Sequence, residues 1–185
     1  MVIGDESARR LYKEFVKQML STLQKGDFPF YVSFYPKDAL KALKEWLGAR
    51  YHYIPQKGRD LGERMRNGFL EVLEMGFKRV VLIGSDIPDL PLEFIEEAFA
   101  SLKEKDAVIG PALDGGYYLI GFNDKTFSPQ VFDGMAWGKE TVLEGTMTVL
   151  RKLNRRVHAL PKWRDIDTIE DLAHLGPPFN PIIQR

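Results

Sequence analysis

The sequence predicts an α/β protein built on a doubly wound, mostly parallel sheet flanked by helices. Three observations carry that prediction. Segments of strand and helix character alternate along nearly the whole chain, the order that covers both faces of a sheet with helices. The run RVVLIG at 79–84 is apolar without alternation, the pattern of a strand buried on both faces. The chain has 185 residues, 44% apolar and 28% charged, enough for a single domain over 1–176 with a real core.

The elements follow in order. Leu11, Phe15, Met19 and Leu23 recur at helical spacing over 5–24, behind candidate caps at Asp5 and Ser7. FPFYVSFY, aromatic and β-branched, reads as a buried strand closed by Pro36. A short helix at 38–47 stops at Gly48, and Tyr51–Ile54 is a short strand. Leu61, Met65, Phe69 and Val72 share one face of a helix over 60–74. After RVVLIG come a loop, a helix near 91–104, the strands DAVIGP and YYLIGF, a helix over 141–153 and a short strand VHAL. The tail at 177–185 holds three prolines and reads as an irregular arm.

Composition narrows the function. Twenty-six basic side chains balance twenty-six acidic ones, so the footprint of a general nucleic-acid binder is missing. With no cysteine there is no disulfide, thiolate zinc site or cysteine nucleophile. No apolar run is long enough for a membrane span and MVIGDESARR is too polar for a signal peptide, so a cytoplasmic protein is expected. There is no G-x-G-x-x-G after a strand, and Ser85 lacks a G-x-S-x-G elbow. The run Gly134 to Lys139 only superficially resembles a phosphate loop.

Open α/β sheets collect ligands at the carboxyl ends of their strands. Three loops fall there. In GSDIPDLP, Asp86 emerges from the most buried strand and is suited to a hard divalent cation, whereas Asp89 is the better cap for the next helix. In ALDGGYY, Gly115 and Gly116 let a ligand approach the backbone and Asp114 can accept hydrogen bonds from sugar hydroxyls, although Asp-Gly is also a standard hairpin signal. In WRDIDTIEDL, Asp165, Asp167, Glu170 and Asp171 crowd together, offering a second cation ligand or a helix cap. Lys57, Arg59, Arg64 and Arg66 gather at a loop-to-helix start that can receive phosphates or be a solvated helix face.

Five ordered segments, QKGRDLGERMRNGF, VVLIGSDIPDLP, DAVIGPALDGGYYLIGF, VFDGMAWGKETVLEGT and WRDIDTIEDL, resemble a microbial family of GT-A-fold glycosyltransferases, also described as transferases associated with radical-SAM gene clusters. More distantly they resemble 2-phospholactate guanylyltransferase, the molybdenum-cofactor guanylyltransferase and the CMP-sugar synthetases. The resemblance implies a nucleotide-diphospho-sugar transferase, with a nucleotidyltransferase or a non-catalytic binding domain as alternatives. It implies Asp86 and Asp167 as ligands of Mg²⁺ or Mn²⁺, and Asp114, Gly115, Gly116 and Tyr117 as sugar or acceptor contacts. It also implies Gln56, Gly58, Leu61, Gly62 and Arg64 near the base. A nucleotide or nucleotide-sugar is the implied partner, with the acceptor unspecified and a homo-oligomer left open.

The family pattern opens with a strand and a basic, glycine-containing loop, roughly K-x-P-x-x-G-x-V-K-T-R-L, and this chain starts after it. In the GT-A fold that strand is central and its loop grips the phosphates. Weak or absent nucleotide binding is therefore expected of the chain by itself. The gap should close by direct pairing of FPFYVSFY with RVVLIG, or else by a strand from another chain.

Overall fold

A computed structural model describes residues 4–166, 169–172 and 174–175. Helix α1 (Asp5–Leu23) buries Leu11, Phe15 and Met19, as their spacing requires, and starts after Gly4 without a side-chain cap. Strand β1 (Tyr31–Phe34) ends ahead of Pro36, and a 3₁₀ turn at Lys37–Ala39 leads into α2 (Leu40–Leu47). Gly48, at φ 95°, stops α2 and turns the chain towards β2 (His52–Pro55). Helix α3 (Leu61–Glu74) is capped by Asp60, whose carboxylate accepts from the Glu63 amide at 2.8 Å. The Glu63 carboxylate in turn accepts from the Arg59 amide at 2.8 Å, a reciprocal closure of the helix start.

The second half contains β3 (Arg79–Ile83), α4 (Leu92–Ser101), β4 (Ala107–Pro111), β5 (Tyr117–Asn123), α5 (Val142–Lys152), β6 (Val157–Ala159) and α6 (Ile169–Leu172). These strands form a four-stranded sheet in the order β3-β5-β4-β6. β4 and β6 run parallel, while β5 lies antiparallel between β3 and β4. A glycine turn too short for a crossover forces that reversal: antiparallel neighbours need only a hairpin, parallel ones a dozen residues or more. The α/β class expected from the sequence holds, with a mixed sheet.

The first half departs from the expectation. β1 pairs with β2 in a separate two-stranded parallel sheet and does not pair with β3. Direct pairing of FPFYVSFY with RVVLIG is thus not how the protein is built. Helices on both sides already span the two sheets and hold them apart: α1 touches Ser85 beyond β3 through Tyr12 and reaches Tyr51 beside β2 through Gln24. The arm expected at 177–185 lies outside the described residues.

Core packing follows the alternation of β3. Val81 and Ile83 face a cluster containing Met19, Ile87, Ile95, Leu102, Val108 and Leu160. Val80 and Leu82 face the other side, against Met65, Phe69, Phe122, Phe132 and Leu150. Phe69 stacks on Phe127 at 5.3 Å and meets Phe122 edge-on at 5.4 Å, geometries that aromatic quadrupoles favour. Because α3 hangs its whole inner face on this cluster, the integrity of its first turn matters. Asp60→Ala should cost about 1 kcal/mol. For a domain of this size that is a fall of about 2–4 °C in melting temperature, measurable by calorimetry.

Candidate active site

β3, β4 and β6 point the same way, and the loops leaving their carboxyl ends are tied to one another. Trp163, beyond β6, forms a parallel bridge with Ala112 beyond β4. Its amide donates to the Pro111 carbonyl and its carbonyl accepts from the Leu113 amide, both at 3.0 Å. The Ile166 amide then donates to the Asp86 carbonyl at 3.0 Å, fastening the same segment to the loop after β3. This ladder carries Asp165 to Asp86 and sets both beside the turn that holds Asp114.

Asp86 is half-buried, and its carboxylate folds back over the main chain of its own loop. A Cβ on Gly84 would stand 2.6 Å from its Oδ1, so a side chain there would push the carboxylate aside. Burial is the main cause that raises the Asp86 pKa; the charges of Asp165 and Asp114 raise it further, against the lowering effect of its own backbone amide. Arg164, next in chain to Asp165, brings no relief to Asp86, because it is committed to Asp89 at 2.5 Å. Asp114 is exposed, and its Oδ1 accepts from the Gly116 amide at 2.8 Å, which shapes the turn and leaves Oδ2 outward for a ligand. Among the described residues no three acidic or histidine side chains come close enough to hold a metal ion by themselves. Asp167, expected as the second ligand, lies outside the described residues.

The glycine turn is more confined than its sequence suggests. Gly115 has φ 91°, and a Cβ there would run into the Glu140 backbone. Its carbonyl accepts from the Leu143 amide at 3.0 Å, so this glycine secures the turn to the start of α5. Tyr117 turns its ring into the core under α5; its hydroxyl is buried towards Thr146, and burial pushes its pKa well up. Of the four residues expected to touch the sugar or acceptor, Asp114 and Gly116 remain at the open edge.

The segment after β2 divides similarly. Gly58 has φ 144° and packs on Glu63 and Arg64, where a Cβ would come within 2.6 Å. Gly62 faces the Phe132 carbonyl and the Trp137 indole, each under 3 Å from where its Cβ would stand. The Gln56 amide donates to the Phe34 carbonyl at 2.8 Å, extending the β1–β2 pairing. Arg64 turns its side chain towards the end of β1. Its Nε donates to the Gly58 carbonyl at 3.3 Å, and its guanidinium lies 3.9 Å from the ring centre of Tyr35, which is 59% exposed. Tyr35 was not singled out by the sequence, where it reads as one more aromatic of an apolar strand. Its position directly before Pro36, at the strand's carboxyl end, is the signal that could have found it. Asp89 was read as a cap for α4, yet it accepts from the Trp163 indole at 3.1 Å and from Arg164, while Pro91 begins the helix.

Carboxylates thus converge at the carboxyl edge of a mixed α/β sheet, a fold that matches nucleotide-diphospho-sugar transferase and nucleotidyltransferase structures. The chain belongs to the family described as an uncharacterized protein conserved in bacteria, DUF2064, whose model matches residues 18–139. It is 43% identical, with a TM-score of 0.87, to a candidate nucleotide-diphospho-sugar transferase from Desulfovibrio desulfuricans, over 91% of this chain and 74% of that one. A 4-diphosphocytidyl-2C-methyl-D-erythritol synthase from Anaerococcus prevotii, 15% identical at a TM-score of 0.62 over 94% of this chain and 86% of its own, shares the fold. The 2-phospho-L-lactate guanylyltransferase of Methanocaldococcus jannaschii is 26% identical over 125 residues, 66% of this chain. The chain spans about half the length of that relative, 52%. No helix among the described residues is long and apolar enough to cross a membrane.

The raised pKa of Asp86 gives a signed expectation. A carboxyl whose folded pKa lies above its unfolded value favours the protonated form on folding, so its ionisation opposes stability once the pH exceeds the unfolded value. Asp86→Asn should therefore melt at a higher temperature than the parent near pH 7, without metal or nucleotide. The difference should shrink as the pH falls below the ordinary aspartate range. Thermal melts at pH 3 and pH 7 give both numbers.

Proposed function

We propose that this protein transfers a sugar from a nucleotide-diphospho-sugar, with a divalent cation held at Asp86. The observation that supports this most directly is the convergence of carboxylates on Asp86: a half-buried carboxylate with the charges of Asp165 and Asp114 acting on it, and the nearby Arg164 engaged with Asp89. Such a group is suited to Mg²⁺ or Mn²⁺, which takes oxygen ligands from one or two carboxylates and completes its shell with water and substrate phosphates. Asp86 would hold it, with Asp167 as the second ligand the family resemblance implies. When bound, the cation neutralises the diphosphate that leaves as the glycosidic bond breaks.

The chain's own residues supply the remaining tasks. Tyr35, backed by Arg64, offers a flat exposed face on which a base can stack. The Gly116 amide is engaged by Asp114, so Asp114 stands in fixed orientation with Oδ2 directed outwards, suited to a sugar or acceptor hydroxyl. The likeness to a guanylyltransferase favours a second reading, transfer of a nucleotidyl group, in which the same site stabilises attack on an α-phosphate.

Products separate the two. Incubation with nucleotide-diphospho-sugars and Mn²⁺ should release free nucleoside diphosphate; pyrophosphate from a nucleoside triphosphate would establish the second reading instead. Asp86→Ala should lower the rate about 100-fold or more while the fold persists. Tyr35→Ala should raise KM with kcat nearly unchanged, because stacking is made equally in ground and transition states. Equal turnover by Asp86→Ala and the parent would sink the assignment.

A further inference from the structure

Asp89 divides its two carboxylate oxygens between neighbouring residues of one distant segment. Its Oδ1 accepts from the Trp163 indole at 3.1 Å, and its Oδ2 accepts from Nη2 of Arg164. The indole bond joins a ladder that is already firm, since Trp163 is fastened to the end of β4 by two main-chain bonds. Arg164 is held less completely. The same Nη2 also donates to the His174 carbonyl at 3.2 Å, while Nε is buried without a hydrogen-bond partner. An arginine that meets a carboxylate face to face engages it with two parallel bonds. Here the indole occupies the second oxygen, and the guanidinium fork is left half engaged.

This ion pair stands beside the carboxylate cluster. Ile166, two residues beyond Arg164, donates its amide to the Asp86 carbonyl at 3.0 Å. Two residues of extended chain span about 7 Å, so the Arg164 main chain lies within the reach of its own long side chain from Asp86. No cationic side chain among the described residues acts on Asp86. A guanidinium is always charged, and one deprived of its carboxylate in a half-buried place is uncompensated until it meets another. Only 27% of the Arg164 side chain is exposed, so water replaces a lost partner only in part.

We propose that Asp89 is a positioning residue for the Asp86 site: it holds the Arg164 guanidinium away from Asp86, so that the chain's own cation does not fill the place of the divalent one. The proposal deepens the reading of Asp86 as a cation ligand and rests on it. The indole bond is a separate task, because a neutral oxygen at position 89 would accept from Trp163 equally well. An aspartate there, instead of an asparagine, is explained by Arg164. For a released Arg164 the rival destination is Asp171, whose carbonyl accepts from the His174 amide at 3.0 Å. Asp171 belongs to α6, beyond the segment, whereas Asp86 is bonded to the segment itself. Asp86 is therefore where the guanidinium goes.

Two variants test it: Asp89→Asn, which keeps an oxygen for the indole, and Asp89→Asn/Arg164→Gln, which removes the guanidinium as well. Mn²⁺ affinity, measured by calorimetry, should fall at least ten-fold in the single variant and return to within about two-fold of the parent in the double variant. Loss in both would make Asp89 a mere support of its loop and overturn the proposal, as would no loss in the single variant. Thermal melts without metal near pH 7 separate the proposal from the reading beneath it. Asp86→Asn should raise the melting temperature of the parent but lower that of Asp89→Asn, where Arg164 has Asp86 as its partner. The same sign in both backgrounds overturns the proposal. A parent that binds no Mn²⁺ yet shows the reversal would sink the cation reading and uphold the hold of Asp89 on Arg164. A single variant that unfolds where the double one folds would show the guanidinium finding no second carboxylate. Failure of both to fold would show a purely structural role; either result overturns the proposal.

Discussion

The backbone bonds that Trp163 makes to the end of β4 are the constraint from which the carboxyl edge of the protein is positioned. Their partners lie about fifty residues apart in sequence, and they bring the segment after β6 across the end of the sheet. The indole then donates to Asp89, and Ile166, three residues on, is bound to Asp86. Without this ladder, the loops after β3 and β6 would have no shared frame, and carboxylates that repel one another would be free to part. The attraction that holds them is made of neutral main-chain hydrogen bonds, one of them to the carbonyl of Asp86 itself. Charge and fixation are thus carried by different atoms of the same segments.

That separation explains how a group as costly as Asp86 persists. Burial and like charges both oppose its ionised form, and natural domains have only a few kcal/mol to spare. The cost is borne by the clusters under β4 and β5, where Ile87, Leu119, Ile120 and Phe122 are fully enclosed. Ile87 is the direct neighbour of Asp86 in sequence. The loop is anchored by the residue that faces inward, which leaves the carboxylate held in place by a packing contact it does not itself make. Sites of this kind trade stability for an arrangement that a ligand completes.

Much of the fold was legible because its signals are local. α3 and α4 have periodic apolar faces, and RVVLIG is a strand as its apolar run requires, although it lies at the edge of its sheet and is only half-buried where burial on both faces was expected. The place of β5 was not legible: nothing within YYLIGF says that it enters between β3 and β4, since that depends on the length of the turn before it and on which strand has a free edge. The separation of β1 from β3 escaped for the same reason, being a property of two helices acting at a distance. In the site, Asp86 could be found from its position at a strand end. Asp89 could not, because its partners Trp163 and Arg164 are 74 and 75 residues away and any Asp two residues before a helix looks like a cap.

The glycines show why motif residues and ligand-binding residues are not the same set. Gly58, Gly62 and Gly115 each occupy a position where a Cβ would strike backbone or a packed indole. Their sequence pattern is that of a ligand loop, yet the chain itself fills the space that their missing side chains leave. What they provide is closeness between segments: Gly62 lets α3 press against Trp137, and Gly115 lets the turn after β4 press against Glu140. The loop at 134–141 thereby meets both α3 and the turn after β4. Arg64 and Asp114, one on each of these braced segments, are left with a polar group or face directed away from the packing.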